Sequence, residues 1–359
     1  QSFENLSLSS SDRYQFILPY YNFNTQIFED YENGFINFAS TGVNDLNNTN
    51  NLKTKIINDI NYKSLDLISD NGFKNGYNVY LKNLNTIGKN DSNYKSSPQI
   101  ELMTIFEFNS SLPLINQSDN SLNYLTPKAS IRFNPGDMKD YNSNDRSINV
   151  DGIFDINRLA IDDSFEEGKS LTLGLEYKKT KLSDINKYFE AKIATVYRDE
   201  KESFIPTTSG IDNKNSNIFG KISSNYLNSI QLSYDFILDN DLNTLMYNSL
   251  NASLNYKNFK TTFNFVDENG PFGDTNSLEN TATLKFDDQN YLSFNTRRNR
   301  KIDLTEYYNF IYEYKNDCLV AGIKYNKKYY EDRDLKPSEN ILFSITLSPL
   351  TTFEQKIDQ

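Results

Sequence analysis

Histidine is missing from this chain, and cysteine is nearly so. Among 359 residues there is no His and a single Cys, Cys318. Without histidine the chain cannot build a Ser-His-Asp or Cys-His catalytic centre or a His-ligated zinc site. It also lacks the commonest general base. One cysteine forms neither an internal disulfide nor a cysteine cluster. We therefore expect no enzymatic activity, no cofactor and no metal site.

Long apolar runs are also lacking. The mean hydropathy is −0.66, and no stretch approaches the roughly 18 apolar residues that a transmembrane helix needs. A transmembrane β-strand needs only about 10 residues with every second one apolar. The net charge of −11 argues against a nucleic-acid partner, because such proteins carry basic patches that displace counterions. The 25 Tyr and 25 Phe suit strands and the aromatic girdles at membrane interfaces.

Alternation with period two is the dominant pattern. In Leu171–Tyr177 every odd position is apolar or aromatic and every even position is polar or small. Ile230–Leu238 and Leu250–Tyr256 follow the same rule. No comparable stretch repeats every 3.6 residues, so helices should be minor. The pattern predicts an all-β protein, an antiparallel transmembrane β-barrel of meander topology with roughly 16–18 strands in this segment.

The predicted connections alternate between short and long from about residue 217 onward. Leu227-Asn228 and Lys257-Asn258 should be tight hairpin turns, whereas 239–248 and 266–280 are long. The longest connection, 134–168, has the same phase as the long ones. Tight periplasmic turns opposite long extracellular loops are typical of outer-membrane barrels. A soluble β-sandwich or solenoid with one wet face is the alternative for alternation alone.

The pleat of a strand assigns the residues to two faces. The apolar face should contact lipid and the polar face a wet lumen. Predicted lipid-facing residues are Leu173, Leu175, Leu232, Tyr234, Phe263, Phe310 and Ile323. Predicted lumen-facing residues are Gln231, Ser233, Asn251, Asn255 and Glu313.

Three motifs occur in a specific order. Asp12–Tyr20 is an arginine-led strand that runs into a proline, and Tyr124–Phe133 contains a threonine-proline pair. The most specific motif is Ile153–Asp163, which is followed by a glycine and the strand Leu171–Tyr177. Its characteristic positions are Phe154, Asn157, Arg158 and Asp162. Over roughly residues 12–348 this order resembles the lipopolysaccharide-assembly family LptD, although Leu159-Ala160 stands where many members carry Phe-Ser.

The resemblance implies a function and a set of partners. Members of that family insert lipopolysaccharide into the outer leaflet of the outer membrane. The implied partners are lipopolysaccharide, a plug lipoprotein of the LptE type, the proteins of the periplasmic lipopolysaccharide bridge, and outer-membrane lipid. The chain 1–359 would be the C-terminal part of the barrel, without the family's N-terminal periplasmic jelly roll and first strands. It would be located in the cell outer membrane.

The resemblance also implies a lateral gate between the first and last strands of the barrel. The last strand is expected at about Asn340 to Ser348, which makes its residues the gate candidates: Ile341, Phe343, Ile345, Leu347 and Pro349. Pro349 cannot donate to a ladder, which would weaken the seam. The alternative is that this proline merely ends the strand.

Cys318 is a disulfide candidate. Many family members carry two adjacent cysteines in this region, whereas here Leu319 follows Cys318. The alternation of short and long connections places Cys318 at the periplasmic end, and the alternation of side chains along the strand predicts that it faces the lumen. The periplasm is oxidising. We expect a disulfide to the N-terminal region that this sequence lacks. The alternative is a free, packed thiol.

The acidic and basic residues of the long connection allow two interpretations each. Arg158 with Asp162 and Asp163 could tie the loop down as a salt-bridge cluster, or the loop could be solvated. The stretch Asp162, Asp163, Glu166 and Glu167 could hold divalent cations near lipopolysaccharide phosphates, or be an ordinary charged loop. The stretch Glu331 to Asp334 allows the same two interpretations.

Other functions remain open at this point. A porin-like or nutrient-uptake channel of the outer membrane shares the strand pattern and would show ion conductance of a defined unit size. A hydrolase that uses only carboxylates has no motif to support it. A soluble β-rich adhesin would dissolve without detergent.

Overall fold

The alternating sequence is β-strand along most of its length. The computed structural model describes residues 2–4, 14–30, 32–47, 50–91, 94–329, 336–347 and 351–358. Helix among them is limited to two single-turn 3-10 helices, Thr207–Ser209 and Gly270–Phe272. None of the described helical segments has the length and apolar content to cross a membrane. The strands are β1 (Ser2–Glu4), β2 (Tyr14–Asp30), β3 (Gly34–Asn47), β4 (Asn51–Ser64), β5 (Leu67–Ile68), β6 (Lys74–Lys89), β7 (Gln99–Ser111), β8 (Leu114–Gln117), β9 (Ser121–Asn134), β10 (Gly168–Lys181), β11 (Asp184–Arg198), β12 (Ile218–Ser224), β13 (Ile230–Leu238), β14 (Leu245–Tyr256), β15 (Phe259–Glu268), β16 (Asn276–Lys285), β17 (Asn290–Asn299), β18 (Leu304–Lys315), β19 (Leu319–Lys328), β20 (Ser338–Leu347) and β21 (Thr351–Asp358).

The chain divides into two compact units. Unit 1 consists of Gln1–Pro113, Thr126–Gly174 and Thr195–Ser216. Unit 2 consists of Leu114–Leu125, Leu175–Ala194 and Asn217–Gln359.

Unit 1 is an antiparallel meander. Each long strand pairs with the next along the chain, from β2 with β3 to β7 with β9, and the two-residue β5 adds a short hairpin to β6. The β2–β3 register shifts between Ile17 and Tyr20, on either side of Pro19, which has no N–H to donate.

Unit 2 continues the same topology by itself. Its strands pair in chain order, from β11 with β12 through to β20 with β21, and every described pair is antiparallel. Together with unit 1 this confirms the prediction of an all-β antiparallel meander.

The strands run further and are more numerous than alternation predicts. The structure describes 21, of which β1, β5 and β8 are too short for the pattern to be recognised. Strands also continue into segments predicted as loops, as in β16, which begins at Asn276. The reason is that polar residues beyond the apolar band still pair through their backbones. The predicted long loops are correspondingly shorter.

Two local predictions are wrong. The turn at Leu227-Asn228 is part of the five-residue connection 225–229, because Asn225 donates its N–H to the Tyr188 carbonyl and leaves the β12–β13 ladder early. The strand that contains Ile341 to Leu347 is β20, and β21 follows and pairs with it from Leu347↔Thr351 to Asn340↔Asp358. The second tight turn, Lys257-Asn258, is confirmed by the facing pair Tyr256↔Phe259.

In unit 1 the two faces of the strands invert the burial of a water-soluble protein. On β9, Ile131 is 55% exposed and Phe133 is also exposed, whereas the alternate residues Ser130, Arg132 and Asn134 are buried, Arg132 at 2%. A buried arginine between exposed apolar residues is the reverse of the usual burial in soluble proteins. The arrangement suits strands whose apolar face meets lipid.

In unit 2 the register aligns the predicted faces across strands. Leu232 lies opposite Ala252, which lies opposite Phe263, and Tyr312 lies opposite Ile323. On the other face Ser233 lies opposite Asn251. Residues that face each other in a ladder share one side of the sheet, so the predicted residues of β13 to β15 and those of β18 and β19 each lie on common faces. Lipid contact itself stays a prediction.

Candidate functional site

The longest connection between described strands, residues 135–167 between β9 and β10, is a folded element that we call the motif loop. Its apolar side chains Ile153, Leu159, Ile161 and Phe165 are at most 3% exposed. The Phe165 ring packs edge-on against Tyr80 of β6, with 5.1 Å between centroids. Burial of each such side chain contributes about 1.5–3 kcal/mol. The loop is therefore part of the core of unit 1 and is not a solvated connection.

Asn157 closes a turn within the motif loop. Its side-chain amide donates to the Ile161 carbonyl at 2.9 Å, and its side-chain oxygen accepts from the Ile161 N–H at 3.3 Å. Ala160 adopts a left-handed conformation, with φ 50, and its N–H donates to the Asn157 carbonyl at 3.0 Å. This turn carries Arg158 into the interior of unit 1.

Arg158 is the centre of a buried charge cluster. Its side chain is fully buried and ion-pairs with Glu166. It also donates to Thr172 Oγ1 at 2.9 Å and Ser170 Oγ at 3.1 Å, both on β10. Arg198, the last residue of β11, ion-pairs with the same Glu166 and donates to the Glu167 carbonyl. Glu166 thus links the motif loop to two arginines.

A second buried ion pair lies on the strands and contacts the motif loop. Arg132 of β9 donates to Glu107 of β7 at 3.0 Å, and both side chains are at most 2% exposed. Arg132 also donates to the Ile153 carbonyl at 3.3 Å. Asn134 donates to the Glu166 carbonyl at 3.2 Å. The polar face of β9 therefore provides the hydrogen-bond donors that the loop backbone needs.

The aspartates expected to pair with Arg158 have other partners. Asp162 lies 3.1 Å from the ammonium of Lys55 on β4. Both carboxylate oxygens of Asp163 accept hydrogen bonds from tyrosines, one from Tyr94 and one from Tyr141. The expectation of a salt-bridge cluster is correct for Arg158, but the partner is Glu166. The turn that Asn157 closes ends at Ile161, before the two aspartates.

The electrostatics of the loop favour ionised carboxylates. Burial opposes ionisation of Glu166, but the attraction of Arg158 and Arg198 outweighs it and lowers the pKa to about 2. Burial likewise opposes ionisation of Asp163, and the two tyrosine hydrogen bonds outweigh it and hold its pKa below the ordinary value. Among the described residues, no group of three or more acidic or cysteine side chains is arranged to hold a metal ion.

The remaining predicted site residues are dispersed. Phe154 is half-buried and lines a polar cavity with Asn157. Cys318 is an exposed free thiol in the turn before β19, and its N–H donates to Asn316 Oδ1 at 3.0 Å. The thiol is thus not packed, and Cys318 precedes β19, so the expected lumen-facing position in that strand is wrong. The disulfide stays a prediction. Asp12, Arg13, Glu331 to Asp334 and Pro349 lie outside the described residues.

The gate candidates of β20 share one face, and Phe343, Ile345 and Leu347 on it are exposed. Their strand has hydrogen-bonded neighbours on both edges, β19 and β21. A seam at β20 would therefore require one of these two ladders to open.

Comparison with known families decides the classification. The family model described as "LptD: LPS transport system D" matches residues 1–266. The chain belongs to the LptD family. It is accordingly a barrel portion of an outer-membrane transport and assembly protein, as the sequence motifs predict. No curated protein matches the sequence.

Several solved structures align with this LptD chain. A mutant ferric enterobactin receptor, PfeA of Pseudomonas aeruginosa, aligns with 100% of the chain and 66% of its own length, at 10% identity and a TM-score of 0.39. The copper transporter OprC aligns with 100% of the chain and 68% of its own, at 9% identity and a TM-score of 0.35. A Rhodopseudomonas blastica porin mutant aligns over 94% of both chains, at 10% identity and a TM-score of 0.28. The LptD chain thus spans about two thirds of the receptor and of the copper transporter.

Proposed function

We propose that this chain is part of the translocon that inserts lipopolysaccharide into the outer leaflet of the outer membrane. The observation that carries the proposal is the match to the LptD family over residues 1–266. The proposed role is that of a conduit and not of an enzyme.

The inverted faces of unit 1 support this role. Lipopolysaccharide combines apolar acyl chains with a large charged glycan, so a conduit needs a wall that tolerates lipid on one side and hydrates sugars on the other. Exposed Ile131 and Phe133 suit the lipid side, and Arg132 and Ser130 lie on the opposite side. Backbone groups inside a membrane must pair with each other, which the continuous antiparallel ladders of each unit provide.

The proposal includes the partners that the family implies. They are a plug lipoprotein of the LptE type and the periplasmic bridge proteins that deliver lipopolysaccharide. Cys318 is proposed to form a disulfide with a cysteine outside this sequence, since the thiol is free and exposed. Non-reducing electrophoresis of the full-length protein tests it. Unchanged mobility and unchanged export in Cys318→Ser would contradict the disulfide.

The experiment for the main proposal is replacement of the native protein in cells by full-length variants. Arg158→Ala should reduce the newly made lipopolysaccharide that a surface-acting enzyme can modify, because the motif loop loses its central cation. Arg298→Ala, which removes a cation from an exposed pair with Asp303, is the matched control and should deliver normally. Normal delivery after complete depletion of the protein would refute the proposal. Ion conductance of a defined unit size without lipopolysaccharide delivery would favour a nutrient-uptake channel.

A further inference from the structure

One cavity of unit 1 is lined by polar side chains, among them five cations and four carboxylates. It has a volume of about 730 Å³ and lies between the motif loop, β4, and the connection from β6 to β7. Lys53, Lys95, Lys139 and Arg146 line it together with Tyr94 and Thr86. Its volume is in the range of pockets that enclose an organic ligand.

The acidic groups of the cavity are already engaged. Asp162 pairs with Lys55, Asp163 accepts from two tyrosines, and Glu101 lies 3.4 Å from Lys139. Asp140 accepts from the Asn142 N–H at 3.0 Å. Within the described part of the chain, Lys53, Lys95 and Arg146 have no ion pair with a carboxylate. With five cations and four carboxylates in its lining, the cavity has a net charge of +1.

Two of the cations flank one aromatic ring. The Lys53 ammonium lies 4.7 Å and the Lys139 ammonium 5.0 Å from the centroid of the Tyr94 ring. Tyr94 is itself fixed by its hydrogen bond to Asp163. A cation over an aromatic face is attracted by the negative face of the ring, which holds the ammonium groups at the cavity and not in bulk solvent.

Three donors in the cavity wall lack hydrogen bonds. Among the described protein groups, Thr86 Oγ1, Lys139 Nζ and Arg146 Nε are buried atoms without a hydrogen bond, although Lys139 Nζ has an ion pair with Glu101 at 3.4 Å. Thr86 is 4% exposed. The Arg146 backbone N–H is anchored to Thr208 Oγ1 at 2.8 Å. Buried donors without acceptors are destabilising unless a ligand or water satisfies them.

We propose that this cavity binds a phosphate group carried on a sugar, and that the source of that group is the phosphorylated glycan of lipopolysaccharide. The proposal rests on the proposed function. Hydroxyl, ammonium and guanidinium donors converge there, and phosphate has three or more acceptor oxygens that charge-assisted hydrogen bonds recognise. The volume far exceeds that of one phosphate, and the remainder accommodates the sugar.

The test is a binding measurement with the full-length protein and its partner lipoprotein in detergent. The variant Lys53→Gln with Arg146→Gln removes two unpaired cations. The control Lys257→Gln with Arg298→Gln removes the same charges from exposed positions of unit 2. The probes are purified lipopolysaccharide, the same lipopolysaccharide after chemical removal of its phosphates, and inorganic phosphate as competitor.

We expect the variant to bind intact lipopolysaccharide at least about tenfold more weakly than the wild type, as loss of charged hydrogen bonds predicts. The control should bind like the wild type, and both should bind the dephosphorylated form equally. Inorganic phosphate should compete only where the cavity is intact. Normal hydrogen-exchange protection of the motif loop in the variant establishes that it is folded.

Two outcomes overturn the proposal. Equal affinity of variant and wild type for intact lipopolysaccharide would show that the cavity is not a binding site for it. Binding of inorganic phosphate in the cavity without any effect on lipopolysaccharide identifies free phosphate as the source and overturns the assignment to the glycan. Failure of the proposed function is seen separately, as a wild-type protein that neither binds lipopolysaccharide nor delivers it to the cell surface.

Discussion

In unit 1 several charged side chains of the strands are buried beneath the chain's own loop, whereas in unit 2 the described charged side chains all remain at least partly exposed. Arg132 and Glu107 are buried in unit 1, while in unit 2 Gln231, Ser233 and Asn251 line a cavity of about 430 Å³. Both units have the same pleat and the same antiparallel ladders. The comparison shows that one strand pattern can support a packed interior or a wet one, depending on the connection that covers it.

The difference has an energetic consequence. Charges that a loop covers must be paired, because an isolated buried charge is costly to desolvate. Charges in a wet interior are screened and contribute little. Single substitutions should therefore have large effects in unit 1 and small effects in unit 2, and the following predictions test that contrast.

Arg158→Ala should have the largest effect. It leaves Glu166 with one cation and removes hydrogen bonds to Ser170 and Thr172, so the motif loop should lose about 3–5 kcal/mol of stability. Hydrogen exchange of the loop amides measures it. Arg298→Ala in unit 2 should change stability by less than about 1 kcal/mol. Equal effects of the two substitutions would remove the distinction between the units.

Ile161→Ala should follow closely. Ile161 is 1% exposed, so truncation leaves a cavity and costs about 2–5 kcal/mol. Limited proteolysis within residues 135–167 should become faster. Ile302→Ala is the control, since Ile302 is an exposed turn residue of unit 2, and it should stay within about 0.5 kcal/mol of the wild type. If the Ile161→Ala variant resisted the protease as the wild type does, the buried Ile161 side chain would not be needed to keep the motif loop folded.

Acid should loosen unit 1 selectively. The pKa of Glu166 is lowered in the folded protein from 4.5 to about 2, so its stabilising contribution is present above about 4.5 and is lost as the pH falls toward 2. Exchange protection of the motif loop should decline over that interval. Glu166→Gln should abolish this part of the pH dependence. If the exchange protection of the motif loop rose on acidification, ionised Glu166 would not be stabilising the loop.

The smallest effect is expected at the tight turn of unit 2. Lys257 has a positive φ of 51, and the first central position of such a turn favours glycine. Lys257→Gly should therefore stabilise unit 2 by up to about 1 kcal/mol, since a left-handed conformation is strained for other residues. The unfolding midpoint in denaturant measures it. Asn258→Gly, at the neighbouring position without positive φ, should instead be neutral or destabilising.

Strand topology and the two faces could be predicted from the sequence because both are properties of neighbouring residues. Alternation along Ile230–Leu238 determines which side chains share a face, whatever the rest of the chain does. The two-residue turn after Tyr256 follows from the same local pattern. The strand β21 was missed, because Thr351–Asp358 contains only two apolar residues, Phe353 and Ile357, which are too few to show an alternating pattern.

The partners of the motif loop could not be predicted, because they depend on distant segments. Four carboxylates follow Arg158 within nine residues, and only the fold selects Glu166 among them. Arg198 comes from another strand, and Lys55 and Tyr94 from earlier in the chain. One signal was present in the sequence, since Arg132 stands between Ile131 and Phe133 with polar parity. A charged residue at such a position indicates that it will need a buried ion-pair or hydrogen-bond partner.

The inverted faces of β9 restrict how this protein can evolve by insertion and deletion. One residue added within the strand would exchange its faces, placing Arg132 on the apolar side and Phe133 among the buried charges, because side chains alternate with period two. Two added residues would restore the faces and require only a shift in pairing. Length changes in the lineage should therefore accumulate in turns, and those within strands should come in even numbers.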